Sequence, residues 1–203
     1  MELTESKDLG SLADEPLIEQ YRTGQKEAFA VLVNRYRQEL FHYLARLLGG
    51  SAAADDVFQD TFLQVHLSID RFDTQRRFRP WLFTIATNKA RDHLRRNRRQ
   101  DAVSLSVQVG QDQRQSYVDL MEADVPIPFQ DAQNNESRQL VRQTVASLPD
   151  PLREVLLLSY FHQFSYKEVA QMLDIPLGTV KSRLHTAVGT FAKQWKARFD
   201  SEN

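Results

Sequence analysis

The feature that most restricts the fold is a hydrophobic rhythm of three and four residues that runs through both ends of the chain and fails in between. Phe29, Leu32, Val33, Tyr36, Leu40, Leu44 and Leu47 recur at the spacing of one buried helical stripe, which stops at Gly49-Gly50. A shorter helix precedes it. Asp14 is placed to cap that first helix, Pro16 suits its opening turn, and Gly24 separates it from the next. A third helix starts after Ser51 and sets Phe58, Phe62, Val65 and Ile69 on one side. Pro80 then opens a fourth, with Leu82, Ala86, Ala90 and Leu94 as its buried stripe, running into an arginine cluster from Arg95 to Arg99.

From Gln100 to Asn134 the rhythm is lost. This stretch carries Gly110, Pro126 and Pro128, is rich in Asp, Gln and Ser, and reads as a linker, although Val103 to Val109 alternates weakly like a strand. The rhythm returns at Leu140, Val141, Thr144, Val145 and Leu148, and Pro149 ends it. Asp150-Pro151 is a cap followed by a proline in the first turn of a helix that buries Val155, Leu156, Leu158 and Phe161. Ser165-Tyr166-Lys167-Glu168 is a capping box, in which serine and glutamate satisfy each other's backbone donors. It starts a short helix ending near Leu173. Asp174-Ile175-Pro176 is a turn, and a last helix runs from about Leu177 to Phe199. The expected fold is all-α: two small helical domains, residues 12–100 and 135–199, joined by a flexible acidic linker over 101–134. A length of 203 residues accommodates two such domains.

Charge sharpens this division. The formal net charge is -1, which at first argues against nucleic acid, yet Arg71 to Arg99 holds ten Lys or Arg against two acids, Asp73 and Asp92. Asp101 to Glu136 holds seven acids and only Arg114. A basic patch is followed by an acidic tether. The chain has no cysteine, which excludes disulfides and thiolate chemistry and suits a reducing compartment. No apolar run reaches the roughly 18 residues that span a bilayer. We expect a cytoplasmic protein with no membrane association.

A short capped helix, a three-residue turn and a longer helix make the helix-turn-helix arrangement, whose second helix enters the DNA major groove. Winding the last helix at 100° per residue sends Val180, Leu184, Ala187 and Phe191 inward. Thr179, Ser182, His185 and Thr186 point outward, flanked by Lys181 and Arg183. Hydroxyls and an imidazole suit base edges, and the two cations suit phosphates.

The fourth helix, opposite its buried stripe, collects Trp81, Thr84, Asn88, Arg91, Arg95 and Arg99, with Arg76, Arg77 and Arg79 in the preceding loop. An aromatic and an amide interleaved with arginines offer stacking, base-edge hydrogen bonds and phosphate neutralisation, the combination that unpaired strands require. A packing role for Trp81 inside the domain is equally compatible with its size. In the third helix, Asp55, Asp56, Gln59 and Asp60 lie toward the N-terminus, where acids are stabilising regardless of any partner, with Phe62 and Leu63 following.

Together these residues resemble the extracytoplasmic-function (ECF) group of the sigma-70 family, the minimal sigma factors that keep only the second and fourth conserved regions. The resemblance covers nearly the whole chain. Its most specific parts are Asp55-Asp56-Val57-Phe58-Gln59-Asp60-Thr61-Phe62, then Phe78-Arg79-Pro80-Trp81-Leu82-Phe83-Thr84-Ile85-Ala86, then Ser165-Tyr166-Lys167-Glu168-Val169-Ala170 leading to Gly178-Thr179-Val180-Lys181-Ser182-Arg183-Leu184. The resemblance implies that Asp55, Asp56, Gln59, Asp60 and Phe62 dock on the clamp helices of the largest subunit of core RNA polymerase, with other subunits also in contact. It implies that the fourth helix and its preceding loop hold the melted minus-ten element, with Asn88 placed to receive a flipped base, and that the last helix reads the minus-thirty-five element as duplex. An anti-sigma factor as partner and a monomeric free state are implied in the same way. The pattern departs from some relatives at His185 and Thr186, where they carry an arginine or a bulky aromatic, so the preferred bases do not carry over.

Two other functions fit parts of the pattern. A one-component helix-turn-helix regulator would use the last domain and leave the first unexplained. A sigma-mimicking adaptor that only sequesters an anti-sigma protein would have no use for the arginine face. An enzyme fits least, since His42, His66, His93, His162 and His185 are scattered and no phosphate loop, metal spacing or nucleophile motif is present. No catalytic, metal or cofactor residues are expected.

Overall fold

A computed structural model describes residues 9–104 and 135–202, with side chains over 9–99 and 139–197. Eight α-helices make up almost all of it: α1 Asp14–Arg22, α2 Lys26–Leu48, α3 Ser51–Ser68, α4 Phe78–Ser104, α5 Asn135–Ala146, α6 Asp150–Leu156, α7 Tyr166–Leu173 and α8 Leu177–Glu202. No strand occurs among the described residues. The predicted all-α class and the pair of helical units are what the structure has.

In the first unit α2 is the central rod. Leu32, Tyr36, Leu40, Tyr43, Leu44 and Leu47 are buried along it, and α1, α3 and α4 pack around them. α2 ends where Gly49 turns left-handed at φ 79° and donates its N–H to the Ala45 carbonyl, a conformation that glycine adopts at little cost. Burial of each large aliphatic side chain is worth about 1.5–3 kcal/mol, so this row of α2 residues outweighs the modest propensity of a segment with several aromatics. Arg22 closes the far end of α3, donating from Nε to the Ile69 carbonyl at 3.2 Å, and Glu15 accepts the Phe78 backbone N–H at 3.1 Å. That remote carboxylate serves the exposed N-terminus of α4 and fixes where the basic helix begins.

The second unit is α5 to α8, built around Leu140, Val145, Leu148, Val155, Leu157, Val169, Leu173, Val180 and Leu184. The predicted capping box is present: the Ser165 hydroxyl accepts from the Glu168 N–H at 3.3 Å, and Glu168 accepts from the Ser165 N–H at 2.8 Å. α7 stops at Asp174, which is left-handed at φ 51°, and Pro176 opens α8 by accepting from the N–H groups of Thr179 and Val180. α6 does not end as an α-helix. It widens into a π-helical turn, Leu157–Phe161, after which the His162 N–H returns to the Leu157 carbonyl and Gln163 adopts φ 54°.

Several boundaries differ from expectation for local reasons. Asp14 is the first residue of α1 and not its cap, because its carboxylate is drawn to Arg35, at 2.6 Å, and to the Tyr36 hydroxyl of α2. Pro80 and Pro151 sit two residues and one residue inside the starts of α4 and α6, still within the turn that needs no intrahelical N–H. α4 continues to Ser104, into the first residues assigned to the linker, so Val103 and Ser104 are helical and not extended. The rest of the expected linker lies outside the described residues.

The two units touch. α4 runs beside α7, and α2 meets α5 and α6. At the centre of this joint the Phe83 ring lies 5.0 Å from Phe164 and 5.1 Å from His162, whose imidazole meets Tyr43 edge-on at 5.3 Å.

Candidate nucleic-acid and partner surfaces

α8 presents the face its wheel predicts. Val180, Leu184 and Ala187 are buried and Phe191 is half-buried, while Lys181, Ser182, His185 and Thr186 are exposed and Thr179 and Arg183 half-buried. Ser182 donates its hydroxyl hydrogen to the Thr179 carbonyl at 3.1 Å, and Thr186 does the same to Ser182 at 3.0 Å. Each hydroxyl is thereby held against the helix with lone pairs directed outward, free to accept from a base amino group. The half-buried flank, Arg183, opens onto a cleft between the two units.

α4 is more divided than expected. Asn88, Arg95 and Arg99 are exposed, as are Arg76 and Arg77 in the preceding loop. Arg76 lies near Asp73 at 3.6 Å and Arg95 bonds Asp92 at 2.8 Å, both solvent-exposed pairs of little energetic weight. Thr84 returns its hydroxyl to the Pro80 carbonyl at 2.8 Å. Trp81 is half-buried, packed against Phe72 at 4.7 Å and Phe78 at 5.8 Å, so its packing role is real while part of its ring still faces outward. Leu94, expected in the buried stripe, is only half-buried and lines the inter-unit cleft.

Arg91 is the clearest departure. Its guanidinium grips Glu154 of α6 through two hydrogen bonds, 2.9 and 2.7 Å, and donates to the Leu173 carbonyl at 3.3 Å. Glu154 is buried, 3% exposed, and its hydrogen bond raises the Arg91 pKa further above its ordinary value. Bidentate geometry of this kind is the strong form of an arginine–carboxylate pair. Arg98 reaches Asp150 across the same boundary.

A second ionic group lies at the other end of the joint. Arg79 pairs with Glu39 of α2, donates to the His162 carbonyl at 2.8 Å, and stacks over the Phe164 ring at 4.2 Å. Burial would raise the Glu39 pKa, but hydrogen bonds from His162 and Arg79 outweigh it and hold the carboxyl at about 2. Burial pushes His162 below its usual value in spite of Glu39. A neutral ring fits the geometry: Nδ1–H donates to Glu39 at 3.1 Å, and Nε2 is buried with no acceptor for a second proton.

On α3, Asp55, Asp56, Gln59 and Asp60 are exposed as expected, but Phe62 is not a surface residue. It is 6% exposed and packs against Phe58 at 4.9 Å and Phe29 at 6.2 Å. At 100° per residue Phe62 falls on the core side, whereas Asp56, Gln59, Asp60, Leu63 and Leu67 form one stripe. Leu63 and Leu67 are 57% and 69% exposed, an apolar extension of the acidic face of which patterning named only Leu63. Its signal was present: two leucines at i and i+4 in line with Asp56 and Gln59.

Among the described residues no group of His, Cys, Asp and Glu is arranged to hold a metal ion, and no helix is long and apolar enough to cross a membrane. Residues 32–100 match sigma-70 region 2, and residues 138–189 match sigma-70 region 4. The chain is 32% identical over 177 residues to the ECF RNA polymerase sigma factor SigW of Bacillus subtilis, covering 87% of this chain and 94% of that protein. It is 31% identical over 180 residues to the ECF RNA polymerase sigma-E factor of Haemophilus influenzae, covering 87% and 92%. The solved structure of CnrH in complex with the cytosolic domain of CnrY aligns over 95% of this chain and all of that one, with TM-score 0.62 and 29% identity. The sigma factor RpoE of Bartonella quintana, solved with the anti-sigma factor NepR, shares the fold with TM-score 0.64 at 23% identity, over 83% of this chain and 96% of that one. With region 2 and region 4 both matched and with this identity over most of both chains, the chain belongs to the ECF group of the sigma-70 family of RNA polymerase sigma factors.

Proposed function

We propose that the protein binds core RNA polymerase in the cytoplasm and directs it to promoters, α8 reading the minus-thirty-five element as duplex and α4 with its preceding loop holding the melted minus-ten strand. The observation that carries this reading is the outer face of α8: Lys181, Ser182, His185 and Thr186 exposed together at the start of the helix that follows the capped α7 and its turn. Asp56, Gln59 and Asp60, with Leu63 and Leu67, are the polymerase-docking stripe, and Asp55 flanks it. Asn88, Thr84, Trp81 and the arginines 76, 77, 91, 95 and 99 are the melted-strand set. An anti-sigma factor is the proposed regulator, in keeping with the solved relatives bound to CnrY and NepR.

The chemistry is binding, not bond making. Base edges recognised by α8 set the register, arginines neutralise phosphates, and melted bases captured on α4 draw the duplex open. The near-neutral net charge suits a subunit that works inside a larger assembly and has no need for tight DNA binding alone. Transcription in vitro with core enzyme on a promoter library tests the function: transcripts above the core-only level are expected, and their absence would refute it. Asp56→Arg with Asp60→Arg should abolish capture of core enzyme while leaving thermal unfolding unchanged. Unaltered polymerase affinity would remove the docking role from α3.

A further inference from the structure

A group of cations lies outside both reading faces and the docking stripe. His42 and Arg46 stand one turn apart on α2, and Arg142 of α5, which packs on α2, is close enough to act on the charge of both. All three are half-buried. The Arg46 guanidinium lies over the Phe161 ring at 4.9 Å, and its Nη1 is buried with no hydrogen-bond partner. Only Nη1 is closed off in this way. Nε and Nη2, also unbonded, are the edge of the fork that solvent reaches.

Among the described residues no acid pairs with Arg46 or Arg142, and His42 makes no hydrogen bond through its ring. Arg79, Arg91 and Arg153, also withdrawn from solvent, each have a carboxylate. Glu39, one turn before His42, is already held by Arg79 and His162. Burial first, and then the Arg142 charge, bring the Arg46 pKa down to about 10. Burial, then Arg46, His162 and Arg142, push His42 below its usual value as well, so its ring is neutral near pH 7 and has one N–H to donate.

A guanidinium drawn out of water without a counter-charge is costly, and a second one beside it adds repulsion. An anion relieves both, and the geometry selects its kind. A carboxylate brings one charge and two oxygens to two cations and an imidazole. A phosphate group brings about 1.5 to 2 charges and three strong acceptor oxygens, and the guanidinium fork matches its edge bidentately. We infer that His42, Arg46 and Arg142 form a phosphate-binding site, with the Nε–Nη2 edge of Arg46, the Arg142 guanidinium and the His42 N–H as donors to a phosphate that is free or carried by a nucleotide. Donors come from both units, so the bound anion ties α2 to α5.

Titration calorimetry of the full-length chain with pyrophosphate, in chloride buffer at fixed ionic strength, tests the site. Pyrophosphate is expected to bind with a Kd on the order of 1 mM or tighter. Arg46→Met and Arg142→Met keep an unbranched apolar stem and remove the charge, and each should weaken binding roughly tenfold, the scale of one charge-assisted pair. Arg37→Met, at an exposed position on the opposite side of α2, should leave binding unchanged. In the NMR spectrum the His42 ring should titrate at higher pH with pyrophosphate bound, because the anion offsets the two arginines. ADP, which carries the same diphosphate on a nucleoside, separates the two sources: tighter binding than pyrophosphate assigns a nucleotide, and equal or weaker binding assigns free phosphate. Absence of pyrophosphate binding, equal weakening by Arg37→Met, or an unmoved His42 titration overturns the site. Should Arg46→Met misfold, undiminished binding by Arg142→Met overturns it as well.

Discussion

α8 and α4 are both long helices with a cationic outer face, and they differ in what that face is doing. On α8 the polar residues point to solvent and bond only their own backbone. On α4 the outer face is split, with Asn88 and Arg99 open and Arg91 committed to a carboxylate 63 residues further along the chain. A charged residue on a solvent-directed wheel position is therefore not by that fact available. What decides is the burial of the nearest acid: Asp92 is exposed and holds Arg95 weakly, whereas Glu154 is buried and would lose the two hydrogen bonds that pair its carboxylate if Arg91 left.

The contrast can be broken at its hinge. Phe83→Ala removes a fully buried ring that packs on Tyr43 in its own unit and on Phe164 and His162 across the joint. A loss of about 3–5 kcal/mol is expected from urea unfolding, with the two units separating at lower denaturant than in the parent. Next in size is α8 itself. Lys181→Ala with Ser182→Ala should reduce promoter-dependent transcription roughly tenfold to a hundredfold with core binding unchanged, and equal loss of both would count against base reading by this face.

Arg91→Ala sharpens the comparison further. It should cost about 1–2 kcal/mol of stability, between an exposed and a fully buried pair because Arg91 is partly exposed, while Lys181→Ala should stay within about 0.5 kcal/mol. Equal effects on denaturation midpoints would erase the distinction between the two helices. The smallest effect is that of pH. His162, faced by Glu39, Arg79 and Arg46, has a folded pKa below its ordinary 6.5, so the unfolded or separated form takes up a proton first and the joint weakens as pH falls below that value. Glu39 adds a second loss in the same direction, from about 4.5 down toward 2. The urea unfolding midpoint should decline on acidification, and His162→Phe should flatten the upper part of that decline.

Much of this was legible in the residues because it is local. Stripes at three and four, the Ser165–Glu168 reciprocity and the Asp174-Ile175-Pro176 turn depend on neighbours within a few positions, and α5 to α8 follow them closely. Phe62 was misread because an aromatic beside an acidic cluster suits a docking surface in the family resemblance, while the wheel puts it with Phe29 and Phe58. Asp14 was misread by one position because its partner, Arg35, is in another helix. The joint was not legible at all. Nothing near Glu154 marks it as the partner of Arg91, since both sit on helices whose exposed faces look ordinary until they are brought together.

The π turn at Leu157–Phe161 gives the chain an unusual handle. Such a turn holds one residue more than a regular helical turn, and it lies directly before His162 and Phe164. Removing that residue would wind everything after it by about 100° relative to α6, carrying the His162 carbonyl and the Phe164 ring off their α4 partners without altering α4 or the reading face of α8. Segment length at this point is thus a setting for how firmly the two halves are coupled, and a single insertion or deletion would retune that coupling without substituting any contacting residue.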